Sequence, residues 1–329
     1  MKKKIGICTL EEACNIGALL QSFALQETLK KFEYEPEFLK LENCVFYNLE
    51  ERTQEFIDMR KHLNISNNYY NSQKDTYDAI IVGSDEIWNL ESNSYSHIDE
   101  FFGYNLSAPK IIAYAPGANT TNGETFNKYY NGKLNLNNFT HLSVRDTNAL
   151  DIVNKVANKN APIVLDPTFL LDSYEPYIKE CPEHDFILVY GWLFKDEEKK
   201  AIMNFAKKRN LKLCFAGFEH QGEWCDEFIG ADIFKFVSYV KHAKYVITSN
   251  SFHGIVFSLI FNKQFITMTH GNFKSKEMIT RAGLSDRDCN SVDEILEKLE
   301  QKIDYTNVNK WIQSERQKSI DYLKNSIES

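Results

Sequence analysis

The sequence predicts an α/β protein made of two doubly wound, Rossmann-like domains facing a cleft. Three observations predict it. Short, nearly continuous apolar runs alternate with amphipathic stretches, the pattern of parallel strands covered by helices on both faces. The alternation comes in two series, separated by a proline-punctuated stretch. The length of 329 residues suits two domains, each large enough to bury a core without a disulfide or a metal.

In the first series the strand candidates are Lys4 to Thr9, Asp78 to Gly83, Lys110 to Tyr114 and His141 to Arg145. A helix opens near Asn15, where Ile16, Leu19, Leu20 and Phe23 fall at helical spacing, and a shorter one fits Glu50 to Leu63. The polar segment Asn64 to Thr76, rich in Asn and Tyr, reads as an exposed loop with no role of its own, a lid beside the cleft being the other reading. Asp166-Pro167, Glu175-Pro176 and Cys181-Pro182 mark a linker beginning near residue 166, which sets the domains at 1–180 and 181–329. The second series offers Phe186 to Tyr190, Leu211 to Phe215, Tyr245 to Thr248 and Gln264 to Thr267 as strands. Helical patterns over Val292 to Ile303 and Val308 to Ile327 follow, and the last helix can pack back on the first domain.

Composition excludes several classes. With 38 Lys and Arg against 46 Asp and Glu, the net charge is −8, too acidic for a general nucleic-acid binder, which needs a cationic surface. Hydrophobic residues make up 43%, so a disordered chain is excluded. The Met1 to Lys4 start is positive, but Glu11 and Glu12 interrupt any secretory core, and Ile255 to Phe261 is far too short to span a bilayer. A cytoplasmic protein is expected. Seven cysteines, without a CxxC pair, read as buried or incidental thiols rather than as a metal or disulfide framework.

Chemistry concentrates just after the strands, where open α/β sheets place their ligands. Asn15 and Gly17 begin a helix whose amide groups favour an anion; the plainer reading is a capping Asn and a packing Gly. In Gly83-Ser-Asp-Glu-Ile-Trp-Asn89, Ser84 is a binding candidate and Asp85 a general base. Trp88 is a flat face for a sugar ring; the plainer reading is a helix cap and a core tryptophan. Arg145 offers a bidentate fork for phosphate or carboxylate, unless it only pairs with Asp146 on the surface. Asn250, Ser251 and His253 in Ser249-Asn-Ser-Phe-His-Gly254 form the densest polar cluster, with Ser251 a helix cap and His253 a proton donor or phosphate ligand. Lys274, Lys276, Arg281 and Arg287 can add cations to the cleft mouth. Asp286 and Asp288 have the spacing of a metal-binding acidic pair but fall in a loop, and no metal site is assigned.

Taken in order, Asn15 to Gln26, Gly83 to Asn89, Ser143 to Asp146, Asp166 to Leu171 and Ser251 to Gly254 resemble the polysaccharide pyruvyl transferase family. The resemblance implies a fold similar to two-domain glycosyltransferases of the B type, with acceptor on the N-terminal side and donor on the C-terminal side. It implies transfer of pyruvate from phosphoenolpyruvate, as a ketal, to a sugar of a cell-surface polysaccharide or its precursor, without a cofactor. The family's functional arginine and histidine map to Arg145 and His253, and its basic residue to Lys274 or Lys276. A lipid-linked or nucleotide-linked acceptor is implied, the former met at the inner face of the membrane. Because fold does not fix function, a nucleotide-sugar glycosyltransferase is the alternative, and a glycan-binding scaffold without catalysis a third reading.

Overall fold

The computed structural model describes residues 2–47, 53–179 and 181–329; the start of the helix expected over Glu50 to Leu63 lies partly outside them. The chain falls into two compact units. One comprises Met1–Cys14, Ala18–Leu171 and Ser314–Ser329, the other Asn15–Gly17 and Asp172–Gln313.

The first unit is built on β1 (Lys4–Cys8), α1 (Ile16–Lys31), β2 (Glu35–Lys40), α2 (Gln54–Arg60), β3 (Ile65–Tyr69), β4 (Ala79–Val82), β5 (Ile111–Ala113), α3 (Gly123–Tyr130), β6 (His141–Leu142) and α4 (Thr147–Ile152). Its strands form one sheet in the order β3-β2-β1-β4-β5-β6, each pair parallel. The chain winds outward first one way and then the other, so the switch point lies between β1 and β4. The segments after these two strands are the ones the sequence marks as chemical.

Ile5, Ile7 and Ala79 to Val82 are wholly buried, as strands covered on both faces require. A cluster of large rings, Trp88, Phe101, Phe102, Phe126 and Phe139, fills one side of the sheet. The polar segment expected as a loop contains the edge strand β3, whose last three residues, Asn67 to Tyr69, are exposed. Its outward side chains need no apolar pattern, because only one neighbour and one face are available to it.

The second unit contains β7 (Phe186–Gly191), α5 (Asp196–Lys208), β8 (Lys212–Ala216), α6 (Glu219–Gly222), β9 (Glu227–Phe228), α7 (Ile233–His242), β10 (Tyr245–Ser249), α8 (Phe252–Ile260), β11 (Phe265–Met268), α9 (Phe273–Arg281) and α10 (Val292–Glu300). The order β11-β10-β7-β8-β9 is again parallel throughout, with its switch point between β7 and β10. Ile187, Val189, Ile247 and Ile266 form the central rows of its core.

The last helix, α11 (Thr306–Glu328), starts in the second unit and ends in the first. There Ser319 accepts a hydrogen bond from the Leu165 amide at 2.9 Å, and Lys110 donates to the Ile327 carbonyl at 2.8 Å. Among the described residues no helix is long and apolar enough to cross a membrane.

Candidate functional site

In the first unit the loops after β4, β5 and β6 close around one buried cation. Arg145 is 2% exposed; its Nη1 donates to Asp166 at 2.8 Å and its Nη2 lies 3.4 Å from Asp85. Burial alone would lower the guanidinium pKa, but the carboxylates of Asp85, Asp166 and Asp146 outweigh it and raise the value. Gly117 makes the room, since a Cβ there would stand 2.9 Å from the Arg145 Nε. Asp166 also accepts from the Thr168 amide at 3.0 Å, which caps the turn Pro167–Phe169. Asp146 accepts from the amides of Ala149 and Ala118, so it caps α4 and ties it to the β5 loop.

These placements change several expectations for the first unit. Arg145 and Asp146 are not a solvated pair. Three carboxylates surround the guanidinium, and the fork that the sequence offers to a phosphate is engaged by Asp166 and Asp85 in this fold. Asp85, expected as an acceptor base, is held by Arg145 and by the Glu86 amide, with a left-handed backbone at φ 65°. Ser84 is fully buried and its hydroxyl donates to the Ala115 carbonyl at 2.8 Å, which removes it from contact with a ligand. Trp88 is no sugar platform: it is fully buried, its ring is stacked on Phe102 at 6.2 Å, and Nε1 donates to the Phe101 carbonyl. The core reading of this tryptophan holds.

Glu11, after β1, was not marked by the sequence. It is 6% exposed and lines a small polar cavity with Thr9, Glu12, Lys40 and Glu42. Burial pushes its carboxyl up to about 8, outweighing Arg60, whose guanidinium lies 3.7 Å away and is shared with Glu12. A carboxyl raised in the fold binds a proton that the unfolded chain has lost. The stability it contributes is therefore complete below pH of about 4.5 and declines as the pH rises to about 8. Glu11→Gln is expected to flatten that decline, which urea midpoints at pH 5 and pH 8 will read.

In the second unit the same topology places His253. Asn250 follows β10 with φ 48°, and its amide donates to the Met268 carbonyl at 2.9 Å, turning the chain over the sheet edge. The Ser251 hydroxyl accepts from the Gly254 amide at 3.1 Å and so caps α8, as the sequence suggests. His253 stands in the first turn of α8 and is 7% exposed. Gly254 lies close against Thr248, where a Cβ would meet the Thr248 Cγ2 at 2.7 Å, so the first turn sits low on the strand.

The segment Asn15–Gly17 belongs to this unit. The Asn15 side chain accepts from the Gly17 amide at 2.7 Å, and a Cβ on Gly17 would fall 2.1 Å from His253 Nδ1 and 2.6 Å from its Cγ. Gly17 therefore lets backbone approach an imidazole face that any side chain would displace. The next helix, α9, is capped by Asn272, which accepts from the Ser275 amide, and carries the half-buried Lys274 in its first turn; Lys276 points to solvent.

Of the other expected cations, Arg287 is 2% exposed and its Nη1 donates to the carbonyls of Lys298 and Gln301, closing the C-terminus of α10. It is structural. The acidic pair is also engaged, Asp286 with Arg287 and Asp288 with the amide and hydroxyl of Thr269. Sequence reasoning missed Gly191, which ends β7 at φ 130°, where a Cβ would strike the Ser249 carbonyl at 1.9 Å. A glycine directly after an apolar strand was the available signal.

Two parallel sheets, each with its polar loops at a switch point, define a pair of doubly wound α/β units, and solved structures agree. The glycotransferase of kitacinnamycin is similar with a TM-score of 0.56 at 9% identity, covering 99% of this chain and 97% of its own. The UDP-GlcNAc 2-epimerase from Neisseria meningitidis, bound to UDP-GlcNAc, gives 0.52 at 9% identity, over 100% and 98% of the two chains. Such likeness defines the fold, that of the B-type glycosyltransferases. A comparison with curated proteins finds no match. The family is nevertheless defined: the model for polysaccharide pyruvyl transferase matches residues 15–272, and the chain belongs to that transferase family.

Proposed function

We propose that the protein transfers pyruvate from phosphoenolpyruvate to two hydroxyls of a sugar in a cell-surface polysaccharide or its precursor, forming a ketal. The observation that carries this reading is His253, held in the capped first turn of α8 against the backbone of Gly17. The first-turn amides and dipoles of α8 and α9, together with Lys274, suit a substrate bearing both phosphate and carboxylate. That local cationic character is what an acidic protein needs to bind so charged a donor.

In the proposed reaction His253 donates a proton to the methylene carbon, leaving C2 electrophilic. A sugar hydroxyl attacks C2, the bond to the phosphate oxygen breaks with its electron pair, and a second hydroxyl closes the ketal. The two hydroxyl protons restore His253 and leave with phosphate, so atoms balance as donor plus diol to ketal plus phosphate. The carrier of the acceptor is proposed to be a lipid or a nucleotide. A lipid-linked acceptor would be met at the inner membrane face by a protein working in the cytoplasm.

The test is transfer from phosphoenolpyruvate labelled with carbon-13 at C2 to a panel of saccharides, read by NMR. A ketal carbon signal with equimolar phosphate is expected, and His253→Ala should reduce it by about a hundredfold or more. Transfer of a sugar from a nucleotide donor, with no ketal formed, would overturn the reading.

A further inference from the structure

We propose that His184, Cys214 and Glu227 form a binding site for a divalent transition ion of zinc's chemistry at the β8–β9 edge of the second sheet. The three ligand atoms lie within 4.8 Å of one another, although the residues share no local spacing in the sequence. The sheet brings them together. Cys214 and Glu227 are register partners on the parallel strands β8 and β9, so their side chains project from the same face. His184 precedes β7, and its Nε2 lies 3.2 Å from the Glu227 Oε1, while the Cys214 Sγ lies 3.6 Å from Oε2.

A tetrahedral zinc ion bound at 2.0 to 2.3 Å separates its ligand atoms by about 3.3 to 3.7 Å, so three atoms already within 4.8 Å of one another need draw in by only about 1 Å to share one ion. The donor set, one imidazole, one thiolate and one carboxylate, is also the mixture that zinc accepts. The site is sheltered on one side: Cys214 is fully buried, and the Phe186 ring stands 6.3 Å from His184. It is open on the other, where His184 is 42% exposed, giving an ion its entry and a water its fourth position.

Without metal the carboxylate is satisfied by the imidazole and the thiol proton. Zinc binds the thiolate, so binding releases the Cys214 proton to solvent as the sulfur–metal bond forms. The cluster involves the amino-terminal end of β9 and the residues before β7, whereas His253 follows the carboxyl end of β10. The ion would pin a two-residue edge strand that only β8 holds, a structural role separate from transfer.

Titration of the purified, metal-stripped chain with Co2+ tests this, because a cobalt–thiolate bond gives a charge-transfer absorption that carboxylates and imidazoles do not. One Co2+ per chain with that band, displaced by Zn2+, is expected. Cys214→Ser should abolish the band, and His184→Ala, at an exposed position that does not threaten folding, should weaken binding by about tenfold or more. Cys181→Ser and Cys225→Ser should leave it intact. Absence of a thiolate band at saturating Co2+, or a band that survives in Cys214→Ser or depends on Cys181 or Cys225, would overturn the proposal.

Discussion

Arg145→Met loses about 3–5 kcal/mol of stability at pH 7, the cost of leaving buried carboxylates without their cation. Asp166 is fully buried, Asp146 3% exposed and Asp85 7% exposed, and all three lie in the field of this one guanidinium. Methionine retains much of the volume and none of the charge, so the loss is electrostatic rather than a cavity effect. The loss has a pH signature. Burial already holds the Asp146 carboxyl above its ordinary value and Arg145 opposes that rise, so without the cation it rises further and the native state retains a proton that the unfolded chain gives up. Stability of the variant therefore recovers as the pH falls from 7 toward 5, more steeply than in the parent. Urea midpoints across that range check it. A loss under about 1 kcal/mol with no recovery in acid would mean that solvent, not Arg145, satisfies these carboxylates.

Gly17→Ala reduces transfer by about a hundredfold, the effect expected when a catalytic group is displaced by roughly 1 Å. The added Cβ would sit 2.1 Å from His253 Nδ1, so either the imidazole or the backbone of Asn15–Gly17 must move. Intrinsic propensity works in the opposite direction, since Ala in a helix is favoured over Gly by about 1 kcal/mol. The two effects separate in a double-mutant cycle. In a His253→Ala background the ring is gone, and Gly17→Ala becomes neutral or stabilising by up to about 1 kcal/mol. Melting temperatures of the four proteins test this. If Gly17→Ala costs the same stability in both backgrounds, contact with the ring is not what requires glycine.

Much of the fold was legible because its strands are buried on both faces. Ile5 to Cys8, Ala79 to Val82 and Phe186 to Tyr190 read as continuous apolar runs for that reason. The strands that escaped have other environments. Glu35 to Lys40 mixes Pro and charge with buried Phe38 and Leu39, Ile65 to Tyr69 is a polar edge, and Glu227-Phe228 exists only through its pairing with β8.

The cap at Ser251 was legible because capping is local, three residues from cap to bonded amide. Arg145 was legible as important but not in its role, since its partners Asp166 and Asp85 lie 21 and 60 residues away in the chain. The same limit applies to Trp88. A motif places a tryptophan after a strand without stating which way it turns, and only the neighbouring Phe102 and Phe139 settle that it faces the core. Gly17 looked like an ordinary packing glycine until the fold set it against His253.

The most direct test of the account is thermal stabilisation by phosphoenolpyruvate, measured beside uridine and thymidine diphosphates on the wild-type chain and on His253→Ala and Lys274→Ala. A ligand that binds only the native state raises the melting temperature by mass action. The account predicts a concentration-dependent rise with phosphoenolpyruvate that shrinks in both variants. A rise with a nucleoside diphosphate and none with phosphoenolpyruvate would contradict it and place the protein among the enzymes that transfer sugars.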